Sequence, residues 1–512
     1  MFDSTPLMRG HAALRYFELG IASSACMQES VLRGLTHHAA STRFGKDHAF
    51  AAIDTVRTFQ KNVPLRRYED FFREYWRPVF PRLVNCTWSG EVPYFALSSG
   101  TTTGTTKFIP CSKEMVFANW RGAHEVIVHH VMNRPWSRVL GGKCLFLGGS
   151  TALREEIPGV YSGDLSGIEV RELPWWEAPW VFPSRELALI PDWEEKIDRL
   201  AHAALEEDIR AISGTPNWLL LFFEKLFSLS PGDERLERLF PDLELIIHGG
   251  VSFAPYRERF RTLLEGSHAE TREVYSASEG FMATADRGDG EGLRLILDGG
   301  VFFEFVPVGE IESRRPTRHW IDNVEVGVEY AIVVSTCAGL WAYILGDTVR
   351  FVDRRPPRIL ITGRTSYVLS AVGEHLIAEE IEEAVRAASA AVGAFVTDYS
   401  VGCPLPKTTR ANPRHLYIVE FAGRALDELG VKAFCHHVDD RLVGLNDDYA
   451  SHRAKDFGLK PPDIIAVRPG TFARWMKKRG KLGGQNKVPR IINDDDLFAD
   501  LIAFVSRGDA VV

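Results

Sequence analysis

The chain reads as an α/β protein: a large N-terminal mixed α/β body with a β-rich subdomain, followed by a smaller α+β C-terminal domain. Three observations predict this. With 45% apolar and 25% charged residues the composition is that of an ordinary globular protein, which excludes collagen-like and disordered classes. At 512 residues the chain outgrows the roughly 250–300 residues that one core supports, so at least two domains are expected. From Tyr94 onward, short apolar runs broken by Gly and Ser alternate with helical periodicity, the pattern of layered strands and helices.

Residues 11–90 carry a mostly helical pattern, and 193–212 reads as a further helix. The dense run 218–223 reads as buried core. Residues 243–247, ahead of Gly249 and Gly250, and 272–275, ahead of Ser276, read as strands running into loops. Residues 294–297 and 301–306, around Asp298-Gly-Gly, read as a hairpin. Three strands are expected at 330–336, 341–345 and 348–352. The charged, proline-bearing stretch 353–358 suits neither regular structure and marks a domain boundary. Beyond it a helix is expected over 375–389, with Leu376, Ile377, Ile381, Val385 and Ala388 on one face. The division is therefore 1–355, a connecting segment 356–364, and 365–512.

The balance of 60 Lys and Arg against 68 Asp and Glu, a net charge of −8, gives no support to nucleic-acid or anionic-membrane partners. The seven cysteines form no CxxC pair or disulfide framework. No stretch approaches the ~18 apolar residues of a membrane helix, and residues 1–28 lack the apolar core of a signal peptide. A cytoplasmic monomer is expected.

The most informative stretch is Ser-Ser-Gly-Thr-Thr-Thr-Gly-Thr-Thr-Lys-Phe-Ile-Pro at 98–110. Glycines let backbone approach phosphate oxygens, hydroxyls donate hydrogen bonds, and Lys107 neutralises charge. Its Gly-x3-Gly-x2-Lys spacing is not the Walker pattern. A Ser/Thr/Gly linker is the bland alternative, but a linker does not normally carry a Lys straight into Phe-Ile-Pro.

This stretch resembles the nucleotide-binding loop of the auxin-responsive acyl acid amido synthetase family, within the luciferase-like adenylate-forming superfamily. Further segments resemble family motifs in the same order. They are Tyr-Ser-Ala-Ser-Glu-Gly at 275–280, Gly-Leu-Trp-Ala-Tyr-Ile-Leu-Gly-Asp at 339–347 and Gly-Arg-Thr at 363–365. Near the end stand Leu445, Asn446 and Tyr449, then Gly-Thr-Phe at 470–472 and Gln-Asn-Lys-Val-Pro-Arg at 485–490.

The resemblance implies an adenylate-forming fold and an ATP- and Mg²⁺-dependent ligase. Such an enzyme makes an acyl-adenylate from a small carboxylic acid, then passes the acyl group to an amine or amino acid. It implies that Ser98, Ser99, Gly100, Thr101 and Lys107 hold the triphosphate. Gly249, Gly250 and Val251 pass over adenine, Tyr275 and Ser278 line the nucleotide, Glu279 helps hold Mg²⁺, and Asp347 accepts from the ribose. Arg364 and Lys487 complete the site from a mobile C-terminal domain, with Lys107 and Lys487 as the catalytic cations. An acyl-CoA ligase with a thiol acceptor and a non-catalytic nucleotide- or acyl-binding relative are the alternatives.

The family usually places an Arg where this chain has Ala342, and Arg350 is one candidate to replace its support. Taken alone, Asp347 after Gly346 reads as a turn residue between two strands, and only the neighbouring motifs favour the ribose role. His124, Glu125 and His129 miss the His-Glu-x-x-His zinc spacing, and no Gly-x-Ser-x-Gly nucleophile elbow occurs.

Overall fold

The computed structural model describes residues 2–99, 106–148, 153–190, 193–232, 234–251, 253, 256–311, 313–364, 368–369, 376–404, 413–423, 426–446, 449–450, 453, 459–481 and 487–506. The chain divides into two compact units. The first comprises 1–100, Thr105–Val251 and Thr262–Ile361; the second contains Ser252–Arg261 and Thr362–Val512.

The first unit opens with helices α1 (Thr5–Ile21), α2 (Ser24–Ala39), α3 (Arg43–Asp47), α4 (Val56–Asn62) and α5 (Tyr68–Phe71). Pro6 sits in the first turn of α1, where its missing N–H leaves no bond unmade. Strands β1 (Tyr94–Ser99) and β2 (Thr106–Cys111) come next, then the long helix α6 (Lys113–Asn133). Ser112 caps α6 by accepting from the Met115 N–H at 3.1 Å. The remaining strands are β3 (Lys143–Leu147), β4 (Arg154–Ile157), β5 (Val160–Gly163), β6 (Val181–Phe182), β7 (Ile209–Gly214), β8 (Leu245–Gly249) and β9 (Glu270–Ala277). After them run β10 (Gly280–Thr284), β11 (Leu293–Leu295), β12 (Val301–Pro307), β13 (His319–Trp320), β14 (Glu329–Thr336), β15 (Tyr343–Arg354) and β16 (Pro357–Arg364).

Two sheets organise these strands. The smaller has the order β2-β1-β5-β4, and the larger the order β13-β12-β14-β15-β16-β11-β10-β9-β8-β7-β3-β6. In the larger sheet β3, β7, β8 and β9 are parallel, so their carboxyl ends share one edge, the usual place for a ligand in an open α/β sheet. Helix α6 packs on β10 closely enough that a Cβ on Gly122 would meet the Phe281 ring at 2.7 Å. A continuous core of buried aromatic and aliphatic residues joins α2 to α5 with β1, β12, β14 and β15.

Several sequence expectations change here. The helix expected over 193–212 ends at Ala204, and Ile209 already starts β7. Residues 294–306 are not a hairpin: β11 pairs with β10 and β16, and β12 pairs with β14 and β13. The segment between them is held by other bonds. Gln28 donates to Leu297 O and Val301 O, and Arg15 grips Asp298. The strands expected at 341–345 and 348–352 are one strand, β15, carrying a bulge. The stretch 353–358 is the turn of a β15–β16 hairpin, its charge absorbed as Arg358 bonds Asp286 and Asp353. The helix expected over 375–389 spans Ala378–Val392, because Leu376 and Ile377 form a short strand before it.

In the second unit, β17 (Val368–Leu369) pairs with β18 (Leu376–Ile377). Strands β19 (Phe395–Gly402), β20 (Leu416–Ala422) and β21 (Asp463–Val467) make a separate sheet in that order. Helices Ala378–Val392 and Glu428–Leu445 supply Ile381, Val385, Phe434, Val438 and Leu442 to the core beneath it. Among the described residues no helix is long and apolar enough to cross a membrane.

Candidate active site

The loop that the sequence singles out hangs from a β-hairpin. In the β1–β2 ladder Ser98 faces Lys107 and Ser99 faces Thr106, so the two ends of the hydroxyl- and glycine-rich run meet. Gly100 and Thr101 lie outside the described residues. Lys107 is 22% exposed; its Nζ lies 3.9 Å from Glu69 and 5.4 Å from the Tyr68 ring centre. Tyr68 Oη accepts from the Phe108 N–H at 3.0 Å, tying α5 to the strand that carries the lysine. Glu69 and Tyr68 were not expected from the sequence.

At the end of β8, Gly249 pairs with Val274, and a Cβ there would fall 2.5 Å from the Val274 carbonyl. Gly250 follows at φ 82°, a left-handed conformation that glycine adopts without strain. The bareness of Gly249 thus lets β8 lie close against β9, and Val251 follows the Gly250 bend.

Ser278 and Glu279 form the tight turn between β9 and β10, both 8% exposed. Asp347, 7% exposed, lies within β15 and not in a turn between strands. The β14–β15 register slips between Ala331 opposite Thr348 and Val333 opposite Ile344, leaving Leu345, Gly346 and Asp347 as a bulge. Gly346 takes φ 95° in it. A bulge of this kind re-aims a side chain.

These two segments brace each other. Tyr275 Oη donates to Asp347 Oδ2 at 2.6 Å. Tyr343 on β15 donates in turn to Glu279, and burial, then this carboxylate, holds the Tyr343 phenol well above its ordinary pKa. Each tyrosine stands four residues before the carboxylate of its own segment and binds the carboxylate of the other. Arg66 bridges to Tyr343 and the Phe71 ring lies 6.2 Å from the Tyr343 ring, so α5, which carries Tyr68 and Glu69, brings the Lys107 corner to the same place. Lys107, Glu279, Asp347 and Tyr275 thus converge; Tyr343 was not singled out from the sequence, although the repeated Tyr-x-x-x-acid spacing was there to be read.

Carboxylate oxygens are hard ligands suited to Mg²⁺, and a neutral phenol orients them without adding positive charge. Glu279 is therefore chemically fit to ligate Mg²⁺, and Asp347 to accept from a vicinal diol. Among the described residues no group of three or more His, Cys, Asp or Glu side chains makes a protein-only metal site. Arg364, at the end of β16, and Lys487 are both half-buried and belong to the second unit.

Ala342 adopts φ 45° and is fully buried. Its N–H donates to Ser335 Oγ at 2.8 Å, and its carbonyl accepts from the Arg66 N–H at 3.0 Å. Arg66 meets this position through its backbone alone, and its guanidinium lies over Phe44, Phe71 and Tyr75. Arg350 stands opposite Glu329 in the ladder.

Comparison with known proteins agrees with this geometry. The GH3 family N-terminal domain matches residues 13–156 and 154–269, its central domain 294–364 and its C-terminal domain 379–496. Indole-3-acetic acid-amido synthetase GH3.3 of Arabidopsis thaliana is 24% identical over 96% of this chain and 93% of its own length. Jasmonoyl--L-amino acid synthetase JAR4 of Nicotiana attenuata is 21% identical over 94% of this chain and 93% of its own. Among solved structures, AtGH3.15 acyl acid amido synthetase in complex with 2,4-DB has a TM-score of 0.78 at 18% identity, over 95% of this chain and 94% of that one. A 2-hydroxyisobutyryl-CoA ligase in its postadenylation state reaches 0.59 at 13% identity, over 94% and 91%. The adenylate-forming fold expected from the motifs is the observed one, and with its three domain types matched in order across most of its length, the chain belongs to the GH3 family.

Proposed function

We propose that this protein is an ATP-dependent acyl-acid amido synthetase. A carboxylate oxygen of a small organic acid attacks the α-phosphorus of ATP, forming acyl-AMP and releasing pyrophosphate. The nitrogen of an amine, an amino acid in this reading, then attacks the acyl carbon; AMP leaves and the nitrogen loses a proton. The observation that carries the reading is the convergence of Lys107 on the crossed Tyr275–Asp347 and Tyr343–Glu279 bonds.

Catalysis of the first step is chiefly positioning and charge neutralisation. Ser98, Ser99, Gly100, Thr101 and Lys107 hold the triphosphate. Glu279 contributes to Mg²⁺ binding, whose role is to offset phosphate charge. Gly249, Gly250 and Val251 run along adenine, beside Tyr275 and Ser278, and Asp347 accepts from the ribose hydroxyls. Arg364 and Lys487 act from residues 365–512 and the segment before them. That domain turns about Gly363, which has φ 154°, between the two half-reactions.

The test is ATP–pyrophosphate exchange across a library of carboxylic acids, with Mg²⁺ and no amine. Exchange driven by some acid is expected. A folded, ATP-binding preparation that exchanges with none of them sinks the reading. Acceptor-dependent AMP release with amino acids, compared with coenzyme A, then separates amide formation from thioester formation. Gly363→Pro, which fixes φ near −65°, is expected to slow one half-reaction far more than the other; equal slowing removes the hinge.

A further inference from the structure

Glu279 precedes β10, and the far end of that five-residue strand is about 17 Å away at the usual rise per residue. At this far end, still within the first unit, lies a cavity of about 700 Å³ between the α1–α2 corner, β10, β11 and the β15–β16 turn. That volume is in the range of small-ligand sites. Nothing in the adenylation chemistry uses it.

Its charge is unusual for a chain with net charge −8: Arg15, Arg294, Arg354 and Arg355 line it, against Glu125 and Asp322. Arg15 is spent on Glu125 and Asp298. Arg294 is not spent. The carboxylate it faces, Asp286, is gripped through both oxygens by Arg358 at 2.7 Å each, which leaves Arg294 a single ion contact at 3.6 Å. Among the described residues no hydrogen bond is made by the Arg294 guanidinium. Its side chain is only 16% exposed, and burial, with the Arg358 charge nearby, works against its protonated form. Beside it, Thr284 is 1% exposed and its Oγ1 has no hydrogen-bond partner among the described residues. His129 on the same wall is held neutral, its pKa pushed down to about 3 by burial, so the positive charge of this wall comes from Arg294. Leu19, Ile21, Met27 and Ile321 add apolar surface to walls that also carry Ser23, Ser24 and Asp322.

We propose that this cavity is a second binding site, for a small amphipathic carboxylate whose head sits on Arg294 and Thr284 and whose body lies on Leu19, Ile21, Met27 and Ile321. A guanidinium fork meets a carboxylate through two parallel charge-assisted bonds, which supplies the acceptors that Arg294 lacks. The orphaned hydroxyl gains a partner in the same event. The apolar walls reward a ligand with a hydrocarbon body over a bare anion.

The probe is 11-(dansylamino)undecanoate, followed by its fluorescence on the full-length protein, with octanoate and inorganic phosphate as competitors. Saturable binding displaced by octanoate is expected. Arg294→Gln is expected to weaken it at least tenfold. Ile21→Glu is expected to do the same; Ile21 is 71% exposed, so this variant keeps its fold and carries the test alone if Arg294→Gln does not. Asp347→Ala, in the β15 bulge that meets Tyr275, is expected to leave probe binding unchanged. No saturable binding to the wild type, unchanged affinity in Ile21→Glu or in folded Arg294→Gln, or loss of binding in Asp347→Ala overturns the proposal. Displacement by phosphate as readily as by octanoate overturns it too, because the apolar walls then play no part.

Discussion

Strands β8, β9 and β10 have two ends, and acidic side chains stand at both. At the edge where β8 stops and β9 turns into β10, Glu279 is held by Tyr343, and the nearby Asp347 by Tyr275. At the opposite edge Asp286 is clamped by Arg358, and Glu270 is bonded by His130, Arg134 and Arg272. The difference is chemical. A guanidinium neutralises a carboxylate and saturates it, which suits a structural joint. A phenol fixes a carboxylate in place and adds no charge, which suits a group that must still meet a metal or a hydroxyl. The kind of donor, more than burial, separates the carboxylates proposed to meet ligands from the structural ones: Asp286 and Glu279 are equally buried at 8% exposure.

The largest expected effect lies at the structural edge. Asp286→Ala leaves Arg358 buried without its main partner, and breaking a buried pair on one side costs about 3–5 kcal/mol. Urea unfolding should show that loss, while exchange per folded molecule stays within a few-fold of wild type. A drop in exchange without a drop in stability would reverse the contrast between the two edges. Glu279→Gln is the mirror experiment. It is expected to cut pyrophosphate exchange by roughly 10²–10³, as is Lys107→Ala, with little change in the urea midpoint. Full activity in either variant removes that residue from the adenylation site.

The phenols come next in size. Losing a hydrogen bond to a charged group costs about 1.5–3 kcal/mol, or roughly 10–100-fold in rate. Tyr343→Phe is expected to raise the Mg²⁺ concentration needed for half-maximal exchange, and Tyr275→Phe to raise the KM for ATP. Equal shifts of both parameters in both variants would mean that the crossed bonds only stiffen the sheet.

The segments of the proposed site could be picked out in one sequence because each is local. The glycines at 249 and 250, the Ser278–Glu279 turn and the Ser98-to-Lys107 run each announce a backbone shape or a charge within a few residues. Asp347 was ambiguous for a physical reason: Gly-Asp marks a turn, and only the β14 register shows it as a bulge. Glu69 and Tyr68 were missed because nothing local marks them; they reach Lys107 through the fold of α5 on β2. The hairpin read at 294–306 failed for a related reason. Asp298-Gly-Gly looks like a turn, but Gln28 and Arg15, far away in sequence, decide its path.

The smallest expected effect tests the structural edge through pH. His130 is 1% exposed; burial works against its charged form, but the hydrogen bonds it donates to Glu244 and Glu270 outweigh it and raise its pKa above 6.5. Burial likewise opposes charge on Glu270, yet His130 and Arg272 push its pKa down to about 2. A raised histidine stabilises the fold fully below its unfolded pKa, near 6.5, and loses that contribution as pH climbs through the folded value. A depressed carboxylate stabilises above its unfolded pKa, near 4.5, and loses that contribution as pH falls toward 2. The network therefore contributes most between those two unfolded values and less on either side. His130→Gln is expected to flatten the alkaline limb of the stability profile, by on the order of 1 kcal/mol. Urea midpoints from pH 5 to 9 for wild type and variant measure this. Because His130 lies at the edge away from Glu279, the pH profile of exchange should be the same in both proteins. A variant that keeps the alkaline limb, or that shifts the exchange profile, would show that the two edges are not chemically separate.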